Sequence, residues 1–142
     1  MATRSSIHMQ TENKLVSIYS HWDGYPSHHG PILLNHINTP ELVAELMSYG
    51  NVSSLGANLS TNEPHTFDHP QEGVCVFYGR DRNEKEQEAV ESVLPSDLKP
   101  TLKRLPIAEE FQYLYKVEEK QWYVMTNKTW AKLTLAKCEK EA

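Results

Sequence analysis

Three imidazoles, one carboxylate and two aromatic rings crowd into residues 20–30, the run Ser-His-Trp-Asp-Gly-Tyr-Pro-Ser-His-His-Gly. His21 and Asp23, with His28 or His29 and His36, carry nitrogen and oxygen donors of the kind zinc or manganese takes, although their spacing matches no established metal motif. A second chemistry has His21 as a proton shuttle oriented by Asp23, with Arg80 and Arg82 of the later run Phe77-Tyr-Gly-Arg-Asp-Arg82 holding a phosphate. The same groups could bind a nucleotide without turning it over, a base stacking on Trp22 or Tyr25. Against all three stands the commonest fate of polar loop residues, which is to serve their own turn. Asp23 would then accept backbone N–H bonds, Trp22 and Tyr25 would pack over a sheet, and Arg80 would pair with an acid.

The elements that must position these groups can be read from periodicity. Residues 5–9 and 14–20 are β-prone runs joined by the polar turn Gln10-Thr-Glu-Asn13, which predicts a hairpin whose second strand delivers His21 to a sheet edge. Gly24 and Gly30 bend the loop and Pro26 biases Tyr25 toward extension. Pro31 opens a short helix to about Ile37. Thr39-Pro40 caps a second, with Leu42, Val43, Leu46 and Met47 as its apolar face and Gly50 as its stop. Residues 51–70 predict a surface loop tacked down by Val52, Leu55 and Leu59. Residues 74–78 are an apolar run bounded by glycines and the candidate central strand, beyond which continued extension would point Arg80 and Arg82 to one side and Asp81 to the other.

Residues 83–92 are acidic, a solvated helix face or partly disordered, and Pro95, Pro100 and Pro106 break the next stretch into short pieces. Residues 111–117 and 121–125 alternate as a second hairpin around Glu118-Glu-Lys120. Residues 130–135 add a last strand before a charged tail that frays. Tyr113 and Tyr115 read as strand packing, and His8, His65 and His69 as surface groups. The order of elements predicts an α+β fold: a mostly antiparallel sheet of four to six strands with one or two helices packed on one face, in a single domain over 1–136 with the tail 137–142 beyond it.

Composition bounds the partners. The 142 residues carry a net charge of −5, which disfavours non-specific binding to nucleic acid. Two cysteines, Cys75 and Cys138, read as reduced thiols. The N-terminus shows no basic-then-apolar leader and no apolar segment approaches bilayer length, so a cytoplasmic protein with no membrane partner is expected. Three glycosylation sequons, at Asn51, Asn58 and Asn127, are chance matches without a secretory route. No cofactor is implied by any motif.

The run Tyr19-Ser-His-Trp-Asp-Gly-Tyr25, with Gly30, Ile32-Leu-Leu34, Ser53-Ser-Leu-Gly56, Phe77-Tyr-Gly-Arg-Asp-Arg82, Glu109-Glu-Phe-Gln-Tyr113 and Trp122-Tyr-Val124, resembles a family of small uncharacterised proteins of tailed bacteriophages and prophages. Pro31 stands where such proteins often carry a basic residue, His29 where they often carry Asn, and Ile37 where an aromatic is usual. The resemblance implies a phage setting inside an infected bacterial cell, and no reaction. Together with the acidic stretch it leads to an expected accessory protein that binds and inhibits a bacterial host protein or ribonucleoprotein, an anti-defence role. Its contact residues would be Trp22, Tyr25, Tyr78, Arg80, Asp81, Arg82, Glu84, Glu86, Glu88 and Glu91. The alternative is a sponge for a signalling nucleotide, or a phosphodiester-cleaving enzyme, built on His21, Asp23, Tyr25, Arg80 and Arg82.

Overall fold

Alternation in the two hairpins supplies the centre of the sheet. The computed structural model describes residues 3–94, 105, 107, 109–126 and 129–140. Strand β1 (Ser5–Gln10) pairs antiparallel with β2 (Lys14–Ser20) and parallel with β6 (Phe111–Lys116), which pairs antiparallel with β7 (Gln121–Thr126) and that with β8 (Thr129–Lys132). On the other side β3 (Val52–Ser54) lies parallel to β2 through Ser20↔Val52, and β4 (Val76–Phe77) lies antiparallel to β3. The order is β4-β3-β2-β1-β6-β7-β8, with β5 (Val90–Val93) antiparallel on the first half of β2. The described residues also form the helices α1 (Pro26–Asn35), α2 (Pro40–Tyr49), α3 (Tyr78–Arg82) and α4 (Leu135–Lys140).

Registers such as Ile7↔Ile18 and Tyr113↔Val124 align the apolar side chains on one face. There they form one core with Leu33 of α1, Ile37 just beyond its end, and Val43, Leu46 and Met47 of α2. Trp122 buries its ring in this core and donates its indole N–H to Ile37 O at 2.8 Å, so its one polar atom is satisfied. The opposite face carries a smaller cluster of Leu15, Leu94, Leu105 and Leu114, and beside it a buried polar group.

The α+β class, the two hairpins, the Thr39-capped helix and the packing role of Tyr113 and Tyr115 agree with expectation. Several details differ. Among the described residues the sheet has eight strands, and β1 rather than residues 74–78 is central. Val76 and Phe77 form an end strand whose burial comes from the segments folded over it, and Tyr78 already starts α3, so the arginines are not extended. Residues 52–54 and 90–93 are strands, because each finds part of β2's free edge. The first helix starts at Pro26, inside the expected loop, and carries Pro31 internally. The terminal segment is helical through Lys140, with Cys138 buried against Gly30, so it is not a frayed tail from Lys137.

His8 is fully buried and His65 is largely covered, so neither is a surface group. Both cysteines are buried thiols outside any disulfide. Among the described residues no helix is long and apolar enough to cross a membrane. Pro95, Pro100, Pro106, Asn127 of the third sequon and residues 141–142 lie outside the described residues.

Candidate functional site

The aromatic and imidazole loop is held from both sides. His21 N donates to Val52 O at 3.1 Å and Trp22 N to Ser53 O at 3.0 Å, prolonging the β2–β3 pairing, while Gly24 N reaches Thr3 O at 2.8 Å and Tyr113 Oη donates to Gly24 O at 2.6 Å. Asp23 sits at φ 55°, a left-handed conformation that non-glycine residues occupy at a cost, and accepts from Tyr25 Oη at 3.2 Å. Gly24 is needed because a Cβ there would lie 2.6 Å from Ser5 Cβ and 2.8 Å from Thr3 O.

The histidines of this loop do not converge. His21 Nδ1 lies 2.6 Å from Tyr19 Oη and its ring meets Trp22 edge-on, leaving Trp22 44% exposed. His29 is fully buried, with Nε2 2.8 Å from Ser20 Oγ and Nδ1 2.9 Å from His28 Nδ1, and its ring lies against Tyr113. Burial first, and the neighbouring His28 second, lower the His29 pKa to about 3. It is neutral in the fold. His36 is exposed past the end of α1. Among the described residues no group of three His, Cys, Asp or Glu is placed to hold a metal ion, so His21, Asp23, His28, His29 and His36 form no centre.

The guanidinium word is a structural clamp. Arg80 uses all five N–H donors: Nε on Asp81 Oδ1 at 3.0 Å, Nη1 on Leu59 O at 2.7 Å and Ser60 Oγ at 2.9 Å, and Nη2 on Cys75 O at 3.0 Å and Asp81 Oδ2 at 3.1 Å. Its carbon lies 4.7 Å from the ring centroids of both Tyr49 and Phe77. Asp81 also accepts from Phe77 N at 2.8 Å. Gln71 N donates to His65 Nδ1, which leaves the proton on Nε2 facing Cys75 O at 3.0 Å and Asp81 at 3.5 Å. Arg82 stacks over Phe67 and pairs with Glu84, and Tyr78 packs on Phe67. Arg80 therefore has no donor left for a phosphate.

A planar fork with five acceptors is not replaceable by an ammonium. Arg80→Lys is expected to lower unfolding free energy by about 1–3 kcal/mol, the cost of stranding buried acceptors, and to open residues 59–75 to protease. Urea unfolding and limited proteolysis check both.

Val52 separates the two words. β2 runs parallel to β3, so His21 and Trp22 continue toward Ser53, whereas antiparallel β4 ends at Phe77 and sends Tyr78 back to Asn51 O at 3.3 Å. The chains leave Val52 in opposite directions, and no contact joins His21 or Asp23 to Arg80 or Arg82 among the described residues.

The acidic stretch is placed differently. After Glu84 it runs past Gly50, where Gln87 O accepts from Asn51 N at 2.8 Å, and then along β2 as β5. Glu86, Glu88 and Glu91 are exposed; Glu91 is 4.0 Å from Lys14, both side chains more than 60% exposed. Beside them opens a groove of about 460 Å³. Met9 and Val16 of the sheet form its floor, Ala44, Met47 and Ser48 of α2 one wall, and Glu88, Ala89 and Glu91 the other. Sequence reasoning names the two glutamates and misses the apolar floor, because Met9 and Val16 read as ordinary strand positions until α2 and β5 are placed on either side of them.

A second missed group is polar and buried. His8 Nδ1 lies 2.6 Å from Ser17 Oγ, and Nε2 lies 2.9 Å from Gln112 Oε1 and 3.1 Å from Ser6 Oγ. An amide oxygen only accepts, so the proton sits on Nε2 and Ser17 donates to Nδ1. Burial lowers the His8 pKa to about 4, against a smaller upward effect of Gln112. The alternation in Ser-Ser-Ile-His-Met-Gln is the available signal, but in sequence its polar face reads as a wet one.

Comparison of the chain with protein-family models, with curated proteins and with solved structures finds no match.

Proposed function

We propose that the chain is an accessory protein that binds a partner without chemistry of its own, capturing a basic surface through its acidic edge. The groove between α2 and β5 carries this proposal: an apolar floor bounded by Glu88 and Glu91, with Glu86 exposed in the same stretch and Glu84 held beside Arg82. Carboxylates around an apolar floor steer and orient a cationic partner, and methionine lets the floor adapt to it. Arg80 is fully engaged and His29 is buried and neutral, which weighs against catalysis by these groups. The phage setting rests on the resemblance of the sequence words alone. Within it, the partner class is a bacterial host protein or ribonucleoprotein of the defence type, whose nucleic-acid groove is basic and matches this charge.

Affinity capture from bacterial lysate with the wild-type chain and with Glu86→Lys/Glu88→Lys/Glu91→Lys tests this. Exposed pairs such as Lys14–Glu91 contribute little to stability, so the variant should fold as the wild type does. Proteins held by the wild type and released by salt should be missing from the variant; equal capture by both would reject the acidic edge. A nucleotide sponge keeps one supporting feature, the exposed indole of Trp22 beside His21 on a rigid loop. Thermal shift with cyclic and linear nucleotides is its test, with Trp22→Ala abolishing any shift.

A further inference from the structure

Strand β5 has one edge on β2 and, among the described residues, no strand on the other. Leu94 N donates to Asn13 O at 3.1 Å, and continuing that antiparallel register makes Leu15 with Ser92 and Ser17 with Val90 the hydrogen-bonded pairs. The N–H and C=O groups of Glu91 and Val93 therefore point away from β2. The register also fixes the faces. Glu91 lies opposite Val16 and Val93 opposite Lys14, so both side chains stand on the face where the groove opens. Val93 is 85% exposed, an unusual position for a valine on an edge strand without a proline.

We infer that β5 accepts an added strand: an extended basic segment of a partner protein. Its main chain pairs with Glu91 and Val93, a cationic side chain lies opposite Glu91, and an apolar side chain two residues along packs on the exposed Val93 side chain, which stands on the same face. The inference rests on the acidic edge proposed above and adds how the partner is read: main-chain bonds give affinity and alternate side chains give selectivity. Charge selects this occupant over a second copy of the chain, because pairing β5 with its own copy would bring the Glu88 and Glu91 carboxylates of both copies together, and like charges across a strand pair are destabilising.

The test uses the full chain and a fluorescent peptide, acetyl-Thr-Leu-Thr-Arg-Thr-Val-Thr-amide, whose Leu, Arg and Val share one face; anisotropy reads its affinity. Val93→Pro removes an outward N–H where a proline leaves the β2 ladder intact, and should weaken binding by about tenfold, while Val93→Thr should not. N-methylation of one alternate set of peptide amides should weaken binding by about the same factor and methylation of the other set should leave it unchanged. That asymmetry does not depend on how any protein variant folds. Equal binding of both methylated peptides overturns strand addition while leaving the acidic edge standing. A peptide with Glu in place of Arg that binds as well as the parent overturns the acidic edge itself. No binding of the parent peptide, or a dimer of the chain that Val93→Pro dissociates, overturns the proposed occupant.

Discussion

Between pH 7.5 and pH 5 the protein should lose about 4 kcal/mol of stability, most of it to two buried histidines. His8 and His29 are fully buried and their pKa values are lowered to about 4 and about 3, chiefly by burial. Each is therefore neutral in the fold at pH 5, whereas in the unfolded chain, with a pKa near the ordinary value of about 6.5, it is protonated. Unfolding takes up two protons in this window, so stability rises with pH there. The contribution is complete above the unfolded pKa and is lost as pH falls toward the folded values. Each histidine adds a slope of about 1.4 kcal/mol per pH unit. By pH 4 the loss reaches about 6 kcal/mol, as much as the whole stability of a domain at the lower end of the usual range of about 5–15 kcal/mol. Urea unfolding at stepped pH values measures the slope. His8→Gln keeps a donor toward Gln112 without a titrating ring, and should cut the slope by about half; a slope that does not change places the proton uptake elsewhere.

The same two histidines show where sequence stops being legible. Thr39, Pro40 and Gly50 are readable because their signals are local: Thr39 Oγ1 accepts from Leu42 N at 3.1 Å, and Gly50 takes the positive φ that ends the helix. The hairpins are readable because alternation and turn residues are local too. His8 is not, since a polar strand face is wet or dry according to what the distant chain lays beside it, here Ser17 and Gln112.

β5 is hidden for a related reason. Two valines in an acidic run make no strand until the first half of β2 offers a free edge. Pro31 and Gly30 disguise the first helix, which closes against the last one through Gly30 and Cys138. As for the site, the words themselves are legible and their partners are not. Arg80 can be suspected of pairing with an acid, yet that its neighbour Asp81 and three carbonyl or hydroxyl acceptors from residues 59, 60 and 75 consume every donor depends on how that loop folds back. The glutamates can be named from sequence, and the groove beside them exists only through α2 and the sheet together.

Gly50 is where the acidic edge is fastened, and Gly50→Ala should be among the most damaging single-methyl additions in the chain. Gly50 has φ 81° and ψ −152°, a region that is essentially glycine-only. A Cβ built there would lie 2.1 Å from Gln87 O and 3.2 Å from Glu88 Cα, and both are backbone atoms that cannot rotate aside. Gln87 O accepts from Asn51 N at 2.8 Å, and the Asn51 side-chain amide donates to Gln87 Oε1 at 3.0 Å, so relief of the clash breaks the joint that leads the chain into β5. The conformational part alone costs about 1–3 kcal/mol, and the displaced hydrogen bonds should raise the total to about 3–5 kcal/mol. Gly73→Ala is the control without a clash: φ is 77°, also positive, yet no atom lies within 4 Å of its Cβ position, so only a conformational cost remains. Urea unfolding of both variants should separate them by about 2 kcal/mol or more, and Gly50→Ala should also lose the peptide affinity of β5. If the two variants are equally stable, the contact between Gly50 and Gln87 does not hold the edge in place. If Gly50→Ala is destabilised but binds the peptide normally, the edge forms without it.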